Sequence, residues 1–242
     1  MRNGYPAPDQ ELLPGVKWGR PEWVPSPAFW KALAGHADPE NDGYVSAPGT
    51  PLAEDVAFCL LGGFGIRMEV NRAAFERVRA AGCLAPSARP SEDEIEALLR
   101  EPLRVDGRPV RYRFPRQKSK RLSQALAVIE EFPPPEDDAQ KFRNAMLKLP
   151  GIGPKTAAWI ARNRLGTDEV AIIDIHILRA GQLIGLFGRN VRLPRDYAAL
   201  EARFLDFARA IDVPASLLDA IMWREMRILG PTILGLRPSF TT

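Results

Sequence analysis

Two cysteines, two histidines and seven lysines are all that 242 residues hold of three chemically versatile residue types. Cys59 and Cys83 allow at most one disulfide and give no metal-ligand spacing. No run is long or apolar enough to span a membrane. The start, Met1-Arg2-Asn3-Gly4-Tyr5, lacks the apolar core of a signal peptide, so export is not expected and a cytoplasmic location is. There is no clear strand alternation, no repeat and no low-complexity tract. Lysine is outnumbered by twenty-six arginines, and none follows Lys155. What remains is the composition of a soluble globular protein, 45% hydrophobic and 26% charged. The chain is long enough for one large domain or two small ones. A net charge of +3 and a pI near 9.0 suit a nucleic-acid partner without demanding one.

Nine of the 23 prolines and three of the five tryptophans (Trp18, Trp23 and Trp30) fall before residue 52. Proline breaks helices, whereas tryptophan seeks a partner surface. Residues 1–51 therefore read as an extended arm, with a short helix near 26–34, packed on the body. From Pro51 onward the pattern is helical, over 53–62, 72–81, a segment opened by a Ser91–Glu94 capping box, 119–132, 137–149 and 154–165. Asp174 can cap a helix running to about 187, and 195–210 and 215–229 supply two more. The fold class is all-α.

The densest signal is Leu149-Pro150-Gly151-Ile152-Gly153-Pro154-Lys155, with Asp174 nineteen residues beyond the lysine. A Gly-x-Gly turn between helices lets backbone amides come close to a phosphate. Pro154 suits the first turn of the following helix. The electropositive N-terminus of a helix disfavours an ammonium, so a lysine there is placed to react as an amine. Taken alone, Lys155 would be a solvated surface lysine and Asp174 a helix cap. The run Val170-Ala171-Ile172-Ile173 places that carboxylate at a buried boundary, where it can face developing positive charge.

Residues 142–179 resemble the helix-hairpin-helix DNA glycosylases, in the 8-oxoguanine branch that has both the lysine and the aspartate. The Leu-Pro-Gly-Ile-Gly core, the lysine two residues after the second glycine, and Ile173-Asp174-Ile175-His176 agree in order and spacing. The resemblance implies a bifunctional DNA glycosylase/AP lyase that acts on an oxidised purine, with 8-oxoguanine the best guess. Lys155 would form a Schiff base and Asp174 would stabilise charge on the sugar. The amides of Gly151 and Gly153, and His176, would hold DNA phosphates. Backbone carbonyls of Leu147, Leu149 and Ile152 would ligate a monovalent cation, K+ or Na+. No redox cofactor is required, and two cysteines cannot hold the four-cysteine iron–sulfur cluster of some relatives. The implied fold has two helical lobes. Residues 52–167 form the lobe containing the hairpin, and 168–242 form the lobe with the aspartate, on which the 1–51 arm packs. The partner is double-stranded DNA with a damaged base, bound by a monomer.

A basic run, Arg104, Arg108, Arg111, Arg113, Arg116, Lys118, Lys120 and Arg121, is interleaved with Tyr112 and Phe114. It is either a solvated loop or a strand-binding surface. Arg116, Lys118 and Lys120 are its candidate DNA contacts. By resemblance Phe114 packs on the extruded base, and Trp223 lines its pocket; Trp223 could equally be core. Two departures from the family bear on lesion choice. The stretch Leu61-Gly62-Gly63-Phe64-Gly65-Ile66-Arg67 has no Gln or Asn to fill the hole left by the base, and the tail ends without lysine. Two other readings stay open, a glycosylase for a different modified base and a non-catalytic hairpin that only binds DNA.

Overall fold

The computed structural model describes residues 5–38, 46–47, 49–63, 65–131 and 133–235. The chain divides into two compact units, Met1–Tyr44 with Thr167–Thr242, and Val45–Gly166. Ten helices and four short strands make up the described elements.

The contiguous unit is built around α2 (Leu52–Leu61). Glu54 and Asp55 in its first turn suit the helix dipole. Val56, Ala57, Leu60 and Leu61 are buried, so the helix is enclosed rather than edged. It packs against α3 (Met68–Ala80), α5 (Pro115–Glu131) and α7 (Pro154–Leu165). Between them, α4 (Glu92–Arg100) opens on the expected capping box: the Ser91 hydroxyl accepts from Glu94 N at 3.2 Å, and Glu94 Oε2 accepts from Ser91 N at 2.7 Å. Next, α6 (Ala139–Met146) starts on Asp138, which accepts from Lys141 N at 2.9 Å, and packs on α7. Gly166, left-handed at φ 58°, ends α7.

The split unit centres on α10 (Ala215–Gly235), which contacts α1 (Pro27–Ala34), α8 (Ile175–Leu183) and α9 (Tyr197–Ala210). Ser26 caps α1 by accepting from Phe29 N at 3.0 Å. Trp30 is 1% exposed and Trp18 8%, and Lys31 Nζ donates to the Ile211 carbonyl at 2.8 Å.

The helical class stands, with two differences from the sequence reading. The chain carries short strands as well as helices. β1 (Glu11–Leu13) pairs antiparallel with β2 (Val16–Lys17), and β3 (Leu103–Val105) with β4 (Arg108–Val110). The second hairpin turns at Asp106 and Gly107, both at positive φ, as a type I′ turn demands. Within the described residues 5–38 the expected helix near 26–34 is present as α1, but the stretch before it is not simply extended: it folds into the β1–β2 hairpin, and Trp18 and Trp30 enter the core of the split unit.

Candidate active site

The hairpin half lies in the contiguous unit. Leu149 and Ile152 are buried and anchor the turn, and Ile152 N donates to the Leu149 carbonyl at 3.1 Å. Gly151 sits at φ +81°, and a Cβ there would run into the alkyl chain of Arg121. Gly153 faces open space, and α7 begins after it without a side-chain cap. Among the described residues, the amides of Gly151 and Gly153 donate to no backbone acceptor. The turn therefore presents unsatisfied N–H groups at a helix N-terminus, the arrangement that receives an anion. The carbonyls of Leu147 and Ile152 likewise accept no backbone N–H among those residues. They are hard, neutral oxygens that fit a monovalent cation.

Lys155 is half-buried in the first turn of α7. Its ammonium lies 5.5 Å from the ring centroid of Trp159, one turn on. It pairs with no carboxylate among the described residues. Trp159 in turn stands edge-on to Phe58 of α2, with centroids 5.9 Å apart. Cys59 on the same helix is fully enclosed, and burial pushes its thiol well above the usual range. A thiol held neutral in this way is not a competing nucleophile.

The aspartate half lies in the split unit. Asp174 caps α8, with Oδ1 accepting from His176 N at 2.7 Å and Ile177 N at 2.9 Å. This cap leaves Oδ2 outside the two bonds. The extended residues before it are fastened from three sides. Glu201 Oε1 accepts from Ala171 N at 3.1 Å, and Asp219 Oδ2 from Ile172 N at 3.2 Å. The Tyr197 hydroxyl donates to the Ala171 carbonyl at 2.8 Å and accepts from Ile173 N at 3.2 Å. Glu201 and Asp219 are buried carboxylates spent on backbone amides. Sequence reasoning misses all three, since their partners lie about 25 to 47 residues away. Nearby, the His176 ring stands 6.5 Å from Trp223, edge to face. The Arg227 guanidinium lies 4.7 Å from the Trp223 centroid.

The basic run does not stay together. Arg104 and Arg108 belong to the β3–β4 hairpin. Arg116 and Lys120 are exposed on α5. Lys118 turns inward and donates to the carbonyls of Leu60 and Gly62, both at 2.6 Å. Tyr112 is likewise a core residue, 5% exposed, with its hydroxyl donating to Leu61 O at 2.5 Å. Phe114 is half-buried just ahead of α5, with the Arg113 guanidinium 4.9 Å from its centroid. Phe64 and residues 236–242 lie outside the described residues.

Comparison with known proteins identifies the family. The family profile described as 8-oxoguanine DNA glycosylase matches residues 52–213, taking in the hairpin, Lys155 and Asp174. The chain belongs to the 8-oxoguanine DNA glycosylase family. An 8-oxoguanine DNA glycosylase/AP lyase of Metallosphaera sedula is 32% identical over 116 residues, covering 46% of this chain and 57% of that protein. The chain thus spans little more than half the length of that relative. One from Saccharolobus islandicus is 29% identical over 178 residues, covering 70% and 79%. Among solved structures, the Methanocaldococcus jannaschii 8-oxoguanine DNA glycosylase superposes with a TM-score of 0.59 at 20% identity, over 84% of this chain and 93% of that one. The same organism's enzyme in complex with a 15mer DNA containing 8-oxoguanine gives 0.52 at 21% identity, over 74% and 81%. At these identities the superpositions establish the fold. Among the described residues no helix is long and apolar enough to cross a membrane, and no group of three or more His, Cys, Asp or Glu could hold a metal ion.

Proposed function

We propose that this chain is a bifunctional DNA glycosylase/AP lyase that removes 8-oxoguanine from double-stranded DNA. The observation that carries the reading is Lys155 at the uncapped start of α7, directly after a hairpin with open amides, in a chain whose family match also includes Asp174. The damaged base must leave the stack before its glycosidic bond can be reached. The hairpin amides and His176 hold flanking phosphates. A K+ or Na+ ion on the carbonyls of Leu147, Leu149 and Ile152 would add positive charge beside a phosphate. Phe114 and Trp223 serve as walls for the extruded base.

Lys155 Nζ, having given up its proton, attacks C1′. The C1′–N9 bond breaks, and its electron pair leaves with the base, which gains a proton. Asp174 stabilises the positive charge that develops on the sugar. Ring opening gives a lysine imine. Loss of a C2′ proton then sends electrons into a C2′–C3′ double bond and expels the 3′ phosphate, nicking the strand. The protein acts as a monomer on DNA in the cytoplasm.

Borohydride reduction of the imine tests this. Wild-type protein mixed with an 8-oxoguanine duplex is expected to give a covalent adduct, and Lys155→Gln to give none while still binding the duplex. An adduct of undiminished yield from the variant would place the nucleophile elsewhere. Absence of excision from 8-oxoguanine, with activity on another modified base, would favour the rival substrate.

A further inference from the structure

Lys118 belongs to the basic run, yet its charge is turned into the protein. Helix α2 ends at Leu61, and its last carbonyls are taken by side chains rather than left to water. Asn71 Nδ2 donates to Phe58 O at 3.1 Å, Lys118 Nζ to Leu60 O and Gly62 O, and the Tyr112 hydroxyl to Leu61 O. A cation at a helix C-terminus is electrostatically favourable. This one is nevertheless half-buried and faces other cations. Arg121 on α5 and Lys155 on α7 both repel it, and burial with that repulsion brings the Lys118 ammonium down to about 8. The other titratable groups nearby are engaged or silenced. Burial holds the Tyr112 phenol and the Cys59 thiol neutral. On α2, Asp55 is bonded to Ser46 and paired with Arg164. A simple helix cap needs no such charge crowding. The arrangement has an evident beneficiary along a short path: a Cβ on Gly62 would stand 3.4 Å from the Trp159 ring, and that ring lies under the Lys155 ammonium.

We propose that Lys118 is a positioning residue for the nucleophile: by fastening Gly62 at the end of α2, it seats Trp159 and thereby Lys155. The proposal rests on the glycosylase/lyase reading and assigns Lys118 no contact with DNA. It separates Lys118 from Arg116 and Lys120, whose exposed side chains suit phosphate contact. It also makes the chemical step depend on pH through a group that never touches the substrate. The clamp is charged below about pH 8 and neutral above it, where the amine can still donate to the two carbonyls but without the attraction of an ammonium.

The test compares Lys118→Met, Lys118→Arg, Trp159→Leu and the Lys118→Met/Trp159→Leu double variant in the full chain. It reads duplex affinity, single-turnover imine trapping from pH 6 to 9.5, and thermal melting. Lys118→Met is expected to slow trapping about tenfold or more, with affinity for the lesion duplex within about threefold of wild type. The fall in wild-type rate above pH 8 should be absent from Lys118→Met. It should move beyond pH 9 in Lys118→Arg, whose guanidinium stays charged and recovers most of the rate. The double variant should be no slower than the slower single variant, because both act along one path. Wild-type trapping by a folded Lys118→Met protein, an Arg variant no better than Met, or fully additive losses would each overturn the proposal. A wild-type chain inactive on every damaged duplex would instead overturn the glycosylase reading, so the two failures are distinct.

Discussion

Asp174 caps a helix and, on the proposed mechanism, also stabilises charge on the sugar, and a substitution can separate the two roles. Its Oδ1 caps α8 through His176 N and Ile177 N. Asparagine caps helices about as well as aspartate, so Asp174→Asn should melt within a few degrees of wild type. On the proposed mechanism a negative charge facing the sugar is lost, however, and removal of one preorganised electrostatic element typically costs roughly 10²-fold or more in rate. Single-turnover excision on the folded variant measures that loss, and a near-normal rate would reduce Asp174 to a cap. The cap at Asp174 and the first-turn position of Lys155 are legible in the sequence because both follow from local motifs. What holds Asp174 in place is not. Glu201, Tyr197 and Asp219 grip residues 171–173 from helices further along the chain, and no local pattern links a buried acid to a distant amide. The inward turn of Lys118 is hidden for the same reason, since its acceptors lie 56 and 58 residues earlier.

At the scale of elements, the hairpin's two glycines make opposite demands. Gly151 is left-handed and packed against Arg121, so Gly151→Ala adds both strain and a clash. A non-glycine residue there costs on the order of 1–2 kcal/mol, enough to lower Tm by several degrees. Gly153 has ordinary φ, and a Cβ there would meet nothing within 4 Å, so Gly153→Ala should keep its Tm. The methyl would project where the backbone is to meet phosphate, so that variant should weaken duplex binding. Unchanged binding by Gly153→Ala would show that the phosphate sits elsewhere. Helices with strong end signals are legible: the Ser91 box and the Gly166 stop both lie where the pattern places them. Helix α3 begins at Met68, four residues before its apolar periodicity declares it, because its first turn carries no side-chain cap. The β3–β4 hairpin is masked although Asp106-Gly107 is a strong turn signal, because the flanking arginines suggest a charged loop.

For the molecule as a whole, DNA affinity should rest largely on phosphate contacts and fall steeply with salt. Replacing exposed Arg116 and Lys120 with alanine should reduce the log–log salt slope by about one for each phosphate no longer neutralised. Lys118→Met, whose charge is spent inside the fold, should leave that slope unchanged. A slope unaltered by the Arg116 and Lys120 replacements would return α5's outer face to ordinary solvated surface. The division into units carries a different consequence, for the order in which the chain is made. Val45–Gly166 is contiguous and can close its core once residue 166 has left the ribosome. The other unit cannot. Trp18 and Trp30 are synthesised before the contiguous unit, but α8, α9 and α10, which complete their own unit, come after it. At typical translation speeds of about 5–20 residues per second, those rings wait on the order of ten seconds or more without their partners. Residues made ahead of the contiguous unit are thus buried only after the stretch that follows it is made, and their exposed rings favour aggregation in the interval.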